Sequence, residues 1–163
     1  MKRRTPGKTL IVGYGNPLRS DDGFGWQAAQ GLAGALAGRE VEVITCHQLT
    51  PELADPLSQC ALAIFLDADA HGTPGQIHCR RIKPAPPSPE AFTHNCTPAH
   101  LLSEAERLFG ARPEGMSITV SAGTFEFGDK LSPAVSASLL KVTERVCRLV
   151  KQSSNRASGM RKP

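Results

Sequence analysis

Blocks of apolar residues with the lengths of strands and helices alternate along most of the chain. Five blocks have strand character, at residues 9–13, 40–46, 61–69, 75–82 and 115–123. Residues 61–69 are almost continuously apolar, which is typical of a buried parallel strand, whereas residues 75–82 alternate weakly and favour an edge strand. Segments between and after these blocks repeat apolar residues at helical spacing. This order predicts an α/β protein, a three-layer α/β/α sandwich with a mostly parallel twisted sheet of about five strands and helices on both faces.

Hydroxyl residues, prolines and glycines mark the ends of the predicted elements. Three helices are expected to begin at a hydroxyl residue followed by a proline, namely at Thr50-Pro51, Thr97-Pro98 and Ser132-Pro133. Gly38 and Gly110 are expected to stop the first helix and the helix after residue 97. Residues 83–92 contain too many prolines for a helix or a central strand, so a stiff surface loop is predicted there.

The length of 163 residues suits one domain. We expect it to span residues 1–151, with residues 152–163 as a basic, disordered tail, because the sequence turns polar and serine-rich from Gln152. The formal net charge is +4. Eight basic residues lie in the two ends, and without them 11 basic side chains face 15 acidic ones. The body is therefore acidic, and no nucleic-acid partner is expected.

Other features of composition place the protein in the cytoplasm. The longest apolar run, at residues 61–66, is too short to span a bilayer, and no signal peptide is recognisable, so no membrane partner is expected. The five cysteines are odd in number and form no C-x-x-C pair, which favours reduced thiols.

Candidate chemistry lies where the predicted parallel strands end, since ligands of open α/β sheets bind there. Strand one is followed by Asp21 and Asp22, the third strand ends at Asp67 and Asp69, and His94 lies just before a helix. Carboxylate and imidazole donors from three loops suit a borderline divalent ion such as Ni²⁺ or Zn²⁺. Structural explanations stay open here, since the first two aspartates are also suited to a helix entrance and a loop histidine is often ordinary.

Two other types of site are disfavoured. Gly13 and Gly15 begin a G-x-G-x-x-G pattern, but Leu18 stands where the third glycine is needed, and acidic residues at the helix entrance would repel a pyrophosphate. Cys96 and His94 would make a nucleophile pair with no visible third group to orient the histidine.

Several motifs together resemble one family. They are "LIVGYGNPLRSDDGFGWQAA", "HQLTPELA", "IFLDADAHGTPG", "THNCTPAHLL" and "VSAGTFEFGDKLSPAV", in that order over residues 8 to 150. This set is similar to the [NiFe]-hydrogenase maturation endopeptidases. The resemblance implies an endopeptidase that removes the C-terminal extension of a hydrogenase large-subunit precursor after nickel insertion and recognises the bound nickel.

The resemblance also implies the site residues. The metal-contacting and catalytic positions of the family fall on Asp22, Asp67 and His94. Nickel arrives with the precursor, although another divalent ion is an option in vitro. Gly13 and Gly15 then form a tight turn that brings Asp22 over the strand ends, and His47 and Gln48 after strand two are candidates for substrate recognition.

The sequence leaves the mechanism and two alternative functions open. The metal acts on the scissile carbonyl or on water, or else a carboxylate is the general base and the metal only positions the substrate. A general metal-dependent hydrolase and a non-catalytic nickel-binding assembly checkpoint protein are the alternative functions.

Overall fold

A computed structural model describes residues 7–86 and 96–159 and shows the predicted α/β architecture. Within these residues the five strands are β1 (Thr9–Tyr14), β2 (Val41–Cys46), β3 (Leu62–Asp69), β4 (Ile77–Ile82) and β5 (Glu114–Ser121). They form one sheet in the order β2-β1-β3-β5-β4. Four strands are parallel, and β4 is an antiparallel strand at the edge, paired only with β5. The predicted mostly parallel sheet with a distinct edge strand is confirmed.

Helices cover both faces of this sheet. They are α1 (Phe24–Ala35), α2 (Ala54–Ser58), α3 (Pro98–Phe109) and α4 (Pro133–Gly159). One core packs α1 and α4 against the sheet and includes Ile64 and Val142, whereas the other packs α2 and α3 and includes Phe65 and Leu101. Neighbouring residues of β3 thus enter opposite cores, which explains why its sequence is apolar without interruption.

The predicted helix ends at Thr97, Gly110 and Ser132 agree with the structure, since α4 begins at Pro133, whereas α1 ends at Ala35, before Gly38, and Thr50 also differs. Thr97 caps α3, because its Oγ1 accepts a hydrogen bond from the His100 N–H at 3.2 Å, and Gly110 ends α3 with a φ of 65°. Thr50 is extended but makes no capping hydrogen bond, and a 3-10 turn at Pro51–Leu53 precedes the short α2. The side chain of Ser132, just before α4, instead bonds Asp21.

The last helix is longer than predicted. Residues 152–159, expected to be part of a disordered tail, continue α4 to Gly159. Arg156 in this stretch forms an ion pair with Glu114 at the start of β5, with Nη1 and Oε2 3.0 Å apart. Local composition cannot predict a contact between residues so far apart in the sequence. No helix among the described residues is long and apolar enough to cross a bilayer.

Candidate functional site

The direction in which successive strands are added to the sheet reverses between β1 and β3. After β1 the next strand, β2, lies on one side of it, whereas β3 and the remaining strands lie on the other. Such a switch point leaves a crevice at the carboxyl ends of the two strands, where ligands of open α/β sheets bind. Tyr14 ends β1 and Asp67 lies near the end of β3, so both face this crevice.

Asp22 is brought to the crevice by the glycine-rich turn after β1. Gly15 has a φ of +132°, and a Cβ there would collide with the backbone oxygen of Asp22. The Asn16 N–H donates a hydrogen bond of 2.8 Å to Oδ2 of Asp22. Gly13 serves a different purpose, since a side chain on it would collide with the backbone of Gly25 in α1. The turn therefore determines both how closely α1 packs against β1 and where Asp22 lies.

Asp21, the neighbour of Asp22, has a structural task. It is fully buried and accepts four hydrogen bonds, from the N–H groups of Gly123, Thr124 and Ser132 and from the Ser132 hydroxyl, at 2.7–3.1 Å. Burial raises the pKa of this carboxyl, but the hydrogen bonds outweigh burial and the pKa lies below its ordinary value. Asp21 thus ties the first loop to the connection between β5 and α4.

Asp67 is largely buried and is held by two donors. The N–H of Ala68 donates to its Oδ1 at 2.8 Å, and the hydroxyl of Tyr14 bonds its side chain. Burial raises the pKa of Asp67 to about 6, with the negative charges of Asp22 and Asp69 adding to the shift and the two hydrogen bonds opposing it. The same burial, with the nearby Asp67 carboxylate, raises the pKa of Tyr14, so its hydroxyl stays protonated. The Asp67 carboxyl group therefore changes its ionisation state close to neutral pH, since its pKa is about 6.

Two connected cavities meet at Tyr14 and Asp67. The smaller, which we call the carboxylate pocket, has a volume of about 270 Å³ and is lined by Tyr14, Gly15, Asp22, His47, Gln48, Leu49, Asp67 and Cys96. The larger, which we call the groove, has a volume of about 500 Å³ and runs over β3 and β5 toward β4. The pocket is small and rich in donors, whereas the groove is large enough for several residues of a peptide.

The structure brings together most of the residues predicted from the sequence. Asp22 and Asp67 share the carboxylate pocket, and so do the recognition candidates His47 and Gln48. His94 lies outside the described residues, so its predicted role stays a prediction. Within residues 7–86 and 96–159, no group of three or more His, Cys, Asp or Glu side chains is arranged to hold a metal ion. The two carboxylates described here offer oxygen donors.

The alternatives Asp69 and His71 line the groove and not the carboxylate pocket. Asp69 Oδ1 accepts a hydrogen bond from the backbone of His71 and lies 3.0 Å from its ring Nδ1. The hydrogen bonds from His71 hold the pKa of Asp69 below its ordinary value. The side chain of His71 is 93% exposed. These two residues pair with each other at the rim.

Tyr14, which the sequence did not single out, and Cys96, which was considered there only as a nucleophile beside His94, both line the carboxylate pocket. Tyr14 holds Asp67, as described above. Cys96 lines the carboxylate pocket, and its Sγ lies 3.8 Å from Nδ1 of His100, one helical turn along α3. Burial is the main cause that raises the pKa of the Cys96 thiol, and the negative charges of Glu104 and Glu52 add to the shift. The thiol therefore stays protonated, which argues against a Cys96 nucleophile.

The fold and the two carboxylates at its switch point define a small α/β protein with an acidic candidate site at the carboxyl ends of β1 and β3. No protein-family model and no curated protein matches the sequence, but solved structures do match it. The hydrogenase maturating endopeptidase HybD from E. coli has a TM-score of 0.71 and 25% identity, covering 90% of this chain and 93% of its own.

Two archaeal structures give the same result. The [NiFe] hydrogenase maturation protease HycI from Thermococcus kodakarensis KOD1 has a TM-score of 0.72 and 21% identity, covering 89% of this chain and 93% of its own. The maturation protease HybD from Thermococcus kodakarensis has a TM-score of 0.65 and 24% identity, covering 88% and 99%. The predicted resemblance to the hydrogenase maturation endopeptidases is thus confirmed, and this similarity supports a protease role.

Proposed function

We propose that this protein is an endopeptidase that removes the C-terminal extension of a [NiFe]-hydrogenase large-subunit precursor once nickel has been inserted. The observation that carries the proposal is the placement of Asp22 and Asp67 in one pocket at the switch point of a fold shared with maturation endopeptidases. The motifs that resemble this family include both residues. His94 is proposed as the third ligand from the resemblance alone.

The chemistry of the donors supports recognition of a metal that belongs to the substrate. Two carboxylates and one imidazole suit nickel and leave coordination positions for groups of the precursor. A nickel ion held in this way polarises the scissile carbonyl or activates a water molecule. The donor set holds the nickel-bearing end of the precursor, so that one event both detects the metal and positions the peptide bond.

Tyr14 and Asp67 complete the arrangement. The Tyr14 hydroxyl and the Ala68 N–H hold the Asp67 carboxylate within the pocket. As the alternative to metal activation, Asp67 takes the proton of the attacking water as general base. Both routes need the Asp67 carboxylate in its ionised form.

The test is to incubate the protein with nickel-loaded and nickel-free forms of a cognate large-subunit precursor and to measure the precursor's intact mass. We expect loss of a C-terminal peptide from the nickel-loaded form only. Asp22→Asn and Asp67→Asn are expected to lower the rate by at least about 100-fold, as is typical for loss of a catalytic or ligating group. Glu40→Gln is the control for the loss of one carboxylate, because Glu40 is exposed and precedes β2, at the opposite end of the parallel strands.

Other outcomes separate the competing functions. Cleavage of both precursor forms would indicate a general hydrolase and contradict nickel recognition. Stable binding of the nickel-loaded precursor without a mass change would indicate an assembly checkpoint protein. Loss of cleavage both after treatment with a thiol alkylator and in Cys96→Ser would point to a cysteine nucleophile and overturn the assignment of roles.

A further inference from the structure

The groove has an acidic end and a basic end. Asp67 and Asp69 lie at the end that joins the carboxylate pocket, and Arg80 lies at the other, on β4. Between them, hydroxyl side chains of β5, Ser117 and Thr119, line the floor. Within the described part of the chain, the groove is therefore a strip of sheet surface lined largely by polar side chains.

Arg80 points over this strip. Alternate residues of a strand lie on opposite faces, and Ile82 packs against the core beneath α2 and α3, so Arg80 belongs to that same face. Its positive charge acts on the Tyr14 hydroxyl at the head of the groove. Its neighbour Arg81 is already paired with Glu114, with Nη2 and Oε1 2.8 Å apart. Arg80, by contrast, has no ion pair among residues 7–86 and 96–159.

We propose that the groove binds the segment that is removed from the precursor, as an extended chain, and that Arg80 pairs with an acidic side chain of this segment. The proposal rests on the proposed function. The donors that suit nickel lie in the carboxylate pocket, so the retained, nickel-bearing side of the scissile bond occupies that pocket. The departing side then continues into the groove, which begins at the shared residues Tyr14 and Asp67.

The strand spacing sets the position of the acidic residue. Asp67 is on β3 and Arg80 is on β4, two strands away, with β5 between them. Neighbouring strands lie about 4.8 Å apart, and Arg80 pairs with Ser117, two residues along β5 from Thr119, the partner of Asp67, so the path is roughly 12 Å, or three to four residues of extended chain. We therefore expect an Asp or Glu within about four residues of the cut, on the removed side. An acidic residue next to the cut itself would face Asp67 and be repelled.

The decisive experiment compares Arg80→Gln with Arg112→Gln on the nickel-loaded cognate precursor. Arg112 is also exposed and loses the same charge, but it precedes β5 and so lies at the opposite end of the parallel strands. For Arg80→Gln we expect KM to rise about tenfold, the effect of losing one charge-assisted contact, with kcat within about twofold. Arg112→Gln is expected to leave both constants within about twofold.

A charge exchange tests the pairing itself. Arg80→Glu is expected to cleave the normal precursor poorly but to regain most of its efficiency on a precursor whose acidic residue is changed to Lys. Independently of cleavage, a fluorescein-labelled peptide of the removed segment is expected to bind the wild-type protein, with weaker binding to Arg80→Gln and at high salt.

The outcomes separate this inference from the proposed function. Normal cleavage with an unchanged KM in Arg80→Gln would overturn the role of Arg80 and leave the protease function intact. A precursor with no acidic residue within four positions of the cut would overturn it as well. If the wild-type protein fails to cleave, the proposed function is wrong, and the peptide still tests the groove, because Arg80-dependent binding supports the contact and its absence refutes it.

Discussion

Replacing Asp21 with alanine is expected to destabilise the protein strongly, although Asp21 is not proposed to touch the substrate. The substitution leaves three backbone N–H groups and one hydroxyl without their acceptor. Hydrogen bonds to a charged group contribute about 1.5–3 kcal/mol each, so the four would sum to about 6 kcal/mol at the lower figure. Alanine avoids the cost of burying a charge, and water will reach part of the loop. We therefore expect the free energy of unfolding to fall by about 3 kcal/mol.

The matched control is Asp22→Ala. Asp22 accepts one described hydrogen bond, from Asn16, and its loss is expected to cost about 1 kcal/mol or less. Urea unfolding followed by circular dichroism and by the fluorescence of the single tryptophan, Trp26, measures both. Equal unfolding midpoints for the two variants would refute the division of tasks between these neighbours.

The pH dependence of Asp21→Ala provides an independent check. The pKa of Asp21 is lowered on folding, so the stability it contributes is present above the ordinary carboxyl pKa and is lost as the pH falls through the folded value. The difference between the wild-type protein and Asp21→Ala should therefore narrow below about pH 4. A difference that stays constant down to pH 2 would show that the carboxylate charge is not what holds the loops.

Two further predictions concern the carboxylate pocket. Because the pKa of Asp67 is raised to about 6, its contribution to stability is present below the ordinary carboxyl pKa and is lost as the pH rises through about 6. Asp67→Asn is therefore expected to be inactive yet more stable than the wild-type protein at pH 8, by about 2 kcal/mol, and urea midpoints at pH 5 and pH 8 that shift equally would contradict this. Gly15→Ala forces a side chain against the Asp22 backbone at a φ of +132°, so we expect a folded protein with at least about tenfold lower activity, and full activity would show that the turn does not position Asp22.

The sequence predicts the sheet and the edge of the sheet that carries the site because these follow from local patterns. Continuous apolar runs predict parallel strands, and the carboxyl ends of such strands must meet at one edge. The order of strands does not follow locally. β5 enters between β3 and β4, and this insertion forms the groove by placing Arg80 two strands from Asp67. The basic end of the groove was therefore not predictable from spacing.

Contacts distant in sequence account for what the sequence missed at the site. Spacing alone did not distinguish Asp21 from Asp22. The directions of two adjacent side chains depend on the backbone conformation of the turn, which spacing does not give. The sequence did not indicate a site role for Tyr14, since an aromatic residue at the end of a strand is equally typical of a hydrophobic core. Its bond to Asp67 requires β1 and β3 to be neighbours. The family resemblance distinguished Asp22 where spacing did not.

The pair Asp21 and Asp22 shows how this loop can be fixed to the fold and still offer an oxygen to the proposed ligand. A carboxylate that fully satisfies its hydrogen bonds inside the protein, as Asp21 does, has a lowered pKa and no free oxygen for a ligand. Asp22 is only partly buried, and among residues 7–86 and 96–159 only its Oδ2 accepts a hydrogen bond. Its second oxygen is thus available without breaking any contact that holds the fold. Because Asp21 fixes the loop from the side of β5 and α4, a ligand at Asp22 meets a donor already in position, and little ordering energy is lost on binding.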